Sequence, residues 1–257
     1  MDPKTKRIIL FSISVVAASL LIAEPLATDR PGANESSAVV KPGFAQIETG
    51  IKTFEDSNAE TGTEYGGTIF RCGVIEGWEL RLGWGGHLDS ESASGSNDGL
   101  LGFKYSISEG DDSMTKPEMA VIVQTTVPIG DSDITSDKFD PKFLLASTHT
   151  LTDKLSLTYN LGLGLATTEK ADGSLATQSS CIYTSSLGYS ATEQLSFFAE
   201  LYGQIGLSAE DSPFLFDCGL AYLLNDNSQL DLSAGAGLNS EAEDFFVSLG
   251  YSFRWGM

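Results

Sequence analysis

Any chemistry in this chain has to be built from few parts. It holds 2 histidines, 3 cysteines and a set of regularly spaced charges. His87 stands in GWGGHLDSES with Asp89 and Glu91 close by, the company a hydrolase needs when a base held by an acid activates a nucleophile. His149, in ASTHTLTD, falls towards the opposite end of its own segment, far from those acids. A single histidine among acidic loop residues is more often a polar rim residue, so no catalytic residue is expected. Cys72, Cys181 and Cys218 are too few and too scattered for a disulfide framework or a metal cluster, and read as small apolar side chains. The acidic run GDSDITSDKFD carries Asp131, Asp133, Asp137 and Asp140 without the fixed spacing and glycine of a calcium loop. Solvation explains it better than bridging to lipopolysaccharide through divalent cations, and neither a metal nor a cofactor is expected. Nucleic acid is excluded as a partner, because 15 basic residues against 35 acidic ones give a net charge of −20.

The charges worth following are Glu48, Lys52, Arg71, Glu79, Arg81, Lys104 and Arg254, and the elements that would position them show period two. In LSLTYNLGLGLA, Leu155, Leu157, Tyr159, Leu161, Leu163 and Leu165 alternate with Ser156, Thr158, Asn160, Gly162 and Gly164. In WELRLGWGG, Trp78, Leu80, Leu82 and Trp84 oppose Glu79, Arg81, Gly83 and Gly85. The glycines of LGLGL and AGAGL belong to this alternation and open no helix, so they form no phosphate-binding loop. The pattern predicts twelve strands, centred near residues 50, 70, 82, 103, 122, 146, 160, 184, 201, 219, 234 and 251. The alternation is weakest near 70 and near 146, where Phe143, Leu144 and Leu145 are consecutive.

Long or acidic connections (EDSNAETG, LDSESASGSND, IGDSDITSDKFDP, TEKADGSLATQ, SAEDSP, NSEAED) alternate with tight ones (IEGWE, LTDK, SATEQ, LNDNSQ); SEGDDSMTKPE is the long exception in the second set. An even number of strands with long loops at one end and short turns at the other is the layout of an outer-membrane barrel. A soluble sandwich also alternates, but its apolar side faces a core, whereas here the opposite face is rich in Gly, Ser, Thr and scattered charge. The N-terminus supports the barrel. Lys4, Lys6 and Arg7 precede an apolar stretch over residues 8–23, which is short for a membrane helix and suits a secretory signal peptide. The expected organisation is a signal peptide at 1–23, a periplasmic segment at 24–43, and a twelve-stranded antiparallel transmembrane β-barrel at 44–257.

Several short pieces carry a resemblance. TDRPG (Thr28 to Gly32), VVKPGFAQIETG (Val39 to Gly50) and IFRCGVIEGWELRLGWGG (Ile69 to Gly86) are similar to a family of outer-membrane transporters named for the meta-pathway of phenol degradation. Members usually carry an aromatic where this chain has Cys72. The resemblance implies a transporter-type barrel in the outer membrane of a Gram-negative-type bacterium, reached by secretion to the periplasm. Its implied partners are outer-membrane lipid and lipopolysaccharide, the barrel assembly machinery and a small-molecule solute.

Alternation places the seven charges named above on the lumen side. Because the last strand of a closed barrel lies beside the first, they could form one ladder around the seam. Such a ladder could set selectivity, or it could be a plug of mutually neutralising pairs that holds a narrow barrel together. Either way the pairs should be tight, since a lone buried charge is costly. The ending SLGYSFRWGM places Ser248, Gly250, Phe253 and Trp255 in the polar, glycine, aromatic, aromatic pattern that resembles a terminal-strand assembly signal, with alternate aromatics towards lipid. Diffusion of a small, hydrophobic or aromatic solute is the expected function. A structural or adhesive barrel with a filled lumen is the alternative, and an outer-membrane hydrolase a more distant one.

Overall fold

An alternating chain that meets lipid should bury its polar face and expose its apolar one, and this chain does both. The computed structural model describes residues 26–56, 60–111, 115–169, 173–207 and 212–257; the segment read as a signal peptide lies outside them. The described residues form strands β1 (Phe44–Glu55), β2 (Thr61–Ile75), β3 (Trp78–Trp84), β4 (His87–Ser90), β5 (Ser94–Ser96), β6 (Gly99–Glu109), β7 (Glu118–Val127), β8 (Pro141–Thr152), β9 (Leu155–Glu169), β10 (Leu175–Ser190), β11 (Leu195–Gly206), β12 (Phe214–Asn225), β13 (Ser228–Gly237) and β14 (Phe245–Gly256).

β3 and β4 are two lengths of one wall strand, since both pair with β2. The break falls at Gly86, whose φ of 87° few other residues adopt. A side chain there would also meet the backbone of Tyr65 and Gly67. β5 folds back on β4 as a short hairpin. With β3 and β4 counted together the wall has twelve strands, all antiparallel, and β1 pairs with both β2 and β14 to close it. The expected twelve-stranded antiparallel barrel is the observed fold, and each predicted strand centre lies within a wall strand.

Closure leaves the wall itself without an edge, so backbone groups in the wall find partners without water. Outward residues such as Leu163 (57% exposed) and Leu249 (52%) form the lipid face, while Arg71 and Lys104, both fully buried, point inward. The consecutive apolar residues of β8 have a local cause. Leu144 faces the lumen in a small cluster with Ile122 and Ala146, against which Ile182 packs, while Phe143 faces out, so both sides are apolar there. No helix of the described residues is long and apolar enough to cross a membrane. Short connections gather at the end where β1 begins and β14 finishes, which in this architecture is the periplasmic end.

One expectation is corrected. The segment preceding β1, read as periplasmic, instead runs into the barrel from residue 26 and returns to the periplasmic rim at Pro42, which bridges to Gly73. The physical reason lies in its polar groups, which find matching charges on the lumen wall.

Candidate functional site

The site grows from Arg71 of β2, whose alternation turns it inward beside Glu48 of β1 and Glu79 of β3. Its guanidinium donates to Glu79 Oε1 at 2.8 Å and Oε2 at 2.9 Å, and to Glu48 Oε1 at 2.8 Å. Two further donations reach the backbone carbonyls of Ala27 at 3.3 Å and Ala38 at 3.1 Å. A fork of five donors is thus shared between the wall and the N-terminal segment, a task suited to Arg rather than Lys.

The N-terminal segment brings its own charges. Asp29 accepts from Arg81 Nη1 at 2.6 Å and from Lys104 Nζ at 3.0 Å, and lies 3.2 Å from Arg71 Nη1. Glu35 accepts from Arg81 Nη2 at 2.6 Å. Arg30 reaches across to β13 and β14, donating to Asp231 Oδ1 at 3.0 Å and to the Ser248 hydroxyl at 2.9 Å. Its guanidinium lies over Gly50 and Gly250, direct partners across the β1–β14 seam, and a side chain at either would collide with it. Gly250 therefore has a seat to provide inside the barrel.

Backbone amides of the segment are met by wall side chains. The N–H groups of Asp29 and Arg30 donate to Glu48 Oε2, that of Ala33 to Glu200 Oε2, and that of Val40 to Glu79 Oε2. Asn160 exchanges two hydrogen bonds with Glu35, accepting from its N–H and donating to its carbonyl. Lys104 also donates to the Ser36 carbonyl at 2.9 Å, and the Ser37 hydroxyl donates to that of Thr148 at 2.7 Å. The segment is thus a plug, tied to walls on every side. It separates a cavity of about 220 Å³ on the extracellular side, bordered by Arg30, Lys52, Tyr202, Asp217 and Phe246, from one of about 540 Å³ near the periplasmic turns, bordered by Leu26, Lys154, Gln194 and Gln229.

Of the seven predicted lumen charges, the structure brings Glu48, Arg71, Glu79, Arg81 and Lys104 into this cluster. Lys52 does not join it. Four residues along β1 from Glu48, or roughly 13 Å, its ammonium pairs with Glu243 of the β13–β14 loop at 2.7 Å and lies 4.9 Å from the centre of the Phe246 ring. Arg254 also stands apart. β13 begins at Ser228, opposite Phe253, so Arg254 lies beyond its neighbour's edge and donates to the Asn227 side chain at 3.1 Å and the Asp226 carbonyl at 2.9 Å. The single ladder around the seam is therefore three groups: a central cluster and one cation near each rim.

In the terminal strand, Phe253 faces outward and stacks on Trp255, with ring centres 5.8 Å apart. His87 sits exposed in β4 with the Ser94 hydroxyl 3.3 Å from Nε2, and among the described residues no carboxylate hydrogen-bonds its ring as an orienting acid would. His149 stacks on Tyr159. Asp131 and Asp140 of the acidic loop accept from the Ser96 N–H and from Thr167, tying that loop to its neighbours.

Sequence reasoning missed Asp29, Arg30, Glu35, Glu200, Asp217 and Asp231 as site residues. The last three were visible as charges on the polar faces of their strands. TDRPG was visible only as a motif without a task.

Solved structures similar to this one include porins. A NanC porin aligns with a TM-score of 0.58 at 10% identity, over 81% of this chain and 98% of the porin. A KdgM porin in complex with disordered oligogalacturonate aligns with a TM-score of 0.54 at 11% identity, over 81% and 98%. At such identities the likeness shows the fold, an outer-membrane barrel. No curated protein sequence matches the chain. The family profile described as "Putative MetA-pathway of phenol degradation" matches residues 28–255, beginning at the first residue of the TDRPG plug motif and ending at Trp255, and the chain belongs to that family.

Proposed function

We propose that this outer-membrane barrel is a gated channel for small solutes, hydrophobic or aromatic ones first among them. One observation carries the reading: the middle of the lumen is filled by a chain segment held through ion pairs and hydrogen bonds, with a cavity on either side of it. A barrel that served only as a wall or an adhesin could fill its lumen with its own side chains. A tethered segment between two cavities is instead suited to moving. The solute class is supported by the family description, which concerns phenol degradation.

The same reading covers how the protein reaches its place. Residues 1–23 direct secretion to the periplasm of a Gram-negative-type cell, and the assembly machinery reads Ser248, Gly250, Phe253 and Trp255. Lipid and lipopolysaccharide surround the wall, and the protein is not an enzyme.

Conductance in planar bilayers tests the channel. The wild type should show brief, discrete openings, and Asp29→Asn, which weakens contacts to Arg71, Arg81 and Lys104 together, should open longer and more often. Silence from both across many preparations would favour the structural barrel.

A further inference from the structure

The plug does not neutralise every charge in the lumen. Glu200 of β11 and Asp217 of β12 are direct cross-strand partners on the inner face, each about 1% exposed. Partners in this position hold their Cβ atoms about 5 Å apart, so the two carboxylates stand close together. Glu200 Oε2 accepts from the plug, but Glu200 Oε1 and Asp217 Oδ1 are buried with no hydrogen-bond partner among the described residues. Buried acceptors of this kind call for a donor.

The cations that line the extracellular cavity are committed. Arg30 is held by Asp231 and Lys52 by Glu243. Asp217 lines the extracellular cavity of about 220 Å³, together with Tyr202, Glu64 and Phe246.

We infer that this cavity is a binding site for a small organic cation, a protonated amine that donates to Asp217, with the Glu200 carboxylate directly behind it adding negative charge, while its apolar part lies among the cavity's apolar walls. Three observations select that class. The uncommitted groups are acceptors, which disfavours an anion. A hard metal ion takes six or more oxygens, and among the described residues no group of three metal-binding side chains stands together. Finally, the cavity already receives one ammonium of the same kind, that of Lys52, between a carboxylate and the Phe246 ring.

The site lies on the extracellular face of the plug, where an arriving solute stops first. The inference deepens the channel reading by naming a solute class, but binding itself needs no conduction. A protein that binds amines and never conducts would sink only the channel.

The test uses the full chain in detergent and the temperature at which half of it loses the fast gel mobility of a folded barrel. Benzylamine should raise that temperature saturably, whereas benzyl alcohol and benzoate, of the same ring and size, should not. Asp217→Asn should weaken the benzylamine effect roughly tenfold or more; should that variant fail to fold, Glu200→Gln is expected to do the same. Equal shifts from all three compounds, no shift in the wild type, or an undiminished effect in the variants would overturn the inference. A proton shared between the two carboxylates would appear as the second of these outcomes.

Discussion

Arg71 is the residue on which wall and plug both depend. Replacing it with alanine leaves Glu48 and Glu79 buried beside each other with their main partner gone. Breaking a buried pair in this way costs about 3–5 kcal/mol, so Arg71→Ala should unfold at a clearly lower temperature in the gel-mobility assay. Arg254→Ala should cost about 1 kcal/mol, the ordinary worth of hydrogen bonds such as those it donates to the Asn227 side chain and the Asp226 carbonyl at the rim. Equal losses from the two would mean that the central cluster is not the stabilising unit. Arg71 was legible in advance because alternation alone sends it inward with Glu79 and Arg81. Arg254 shows the limit of that logic: parity gives the face, whereas the partner depends on where the neighbouring strand ends. Asp29 and Arg30 were beyond it altogether, since TDRPG has no period from which a face could be read.

At the scale of elements, the twelve wall strands follow from side-chain alternation, which needs only local sequence. The plug does not, because its conformation is fixed by side chains far along the chain, such as Asn160 and Asp231. The hairpin of β4 and β5 was hidden for a related reason: it begins only past the backbone break at Gly86 and turns between Ser90 and Ser94, where the Ser90 N–H donates to the Ala93 carbonyl. That hairpin is latched to the β1–β2 loop by Glu60, which accepts from the Ser92 N–H and the Ser90 hydroxyl. Hydrogen bonds from Ser92 and Ser90 hold the Glu60 carboxyl below its ordinary range. A folded-state value depressed in this way gives a contribution that is present above the unfolded value and lost as pH falls through the folded one. Limited proteolysis of the extracellular loops should therefore speed up as pH drops below about 4, and Glu60→Gln should flatten that dependence. An identical acid response in the variant would show that the latch lies elsewhere.

For the whole molecule, the question is whether the plug is part of the fold or a tenant of it. The wall closes through backbone pairing of β1 with β2 and β14, and none of those pairings uses the plug. Removing residues 27–38 takes away Asp29, Arg30 and Glu35, and leaves Arg71 and Arg81 paired with Glu48 and Glu79. Asp231 loses Arg30 and Lys104 loses Asp29, yet both would then face a lumen that water can enter, which offsets much of the cost of an unpaired charge. The shortened protein should thus still show heat-dependent gel mobility, at a lowered transition temperature. Its two cavities would become one path. In liposome swelling, small sugars and aromatic acids should enter vesicles bearing the shortened protein several-fold faster than those bearing the intact chain. A shortened barrel that folds but leaves the swelling rates unchanged would place the barrier in the wall's own side chains, and the plug would then be a brace.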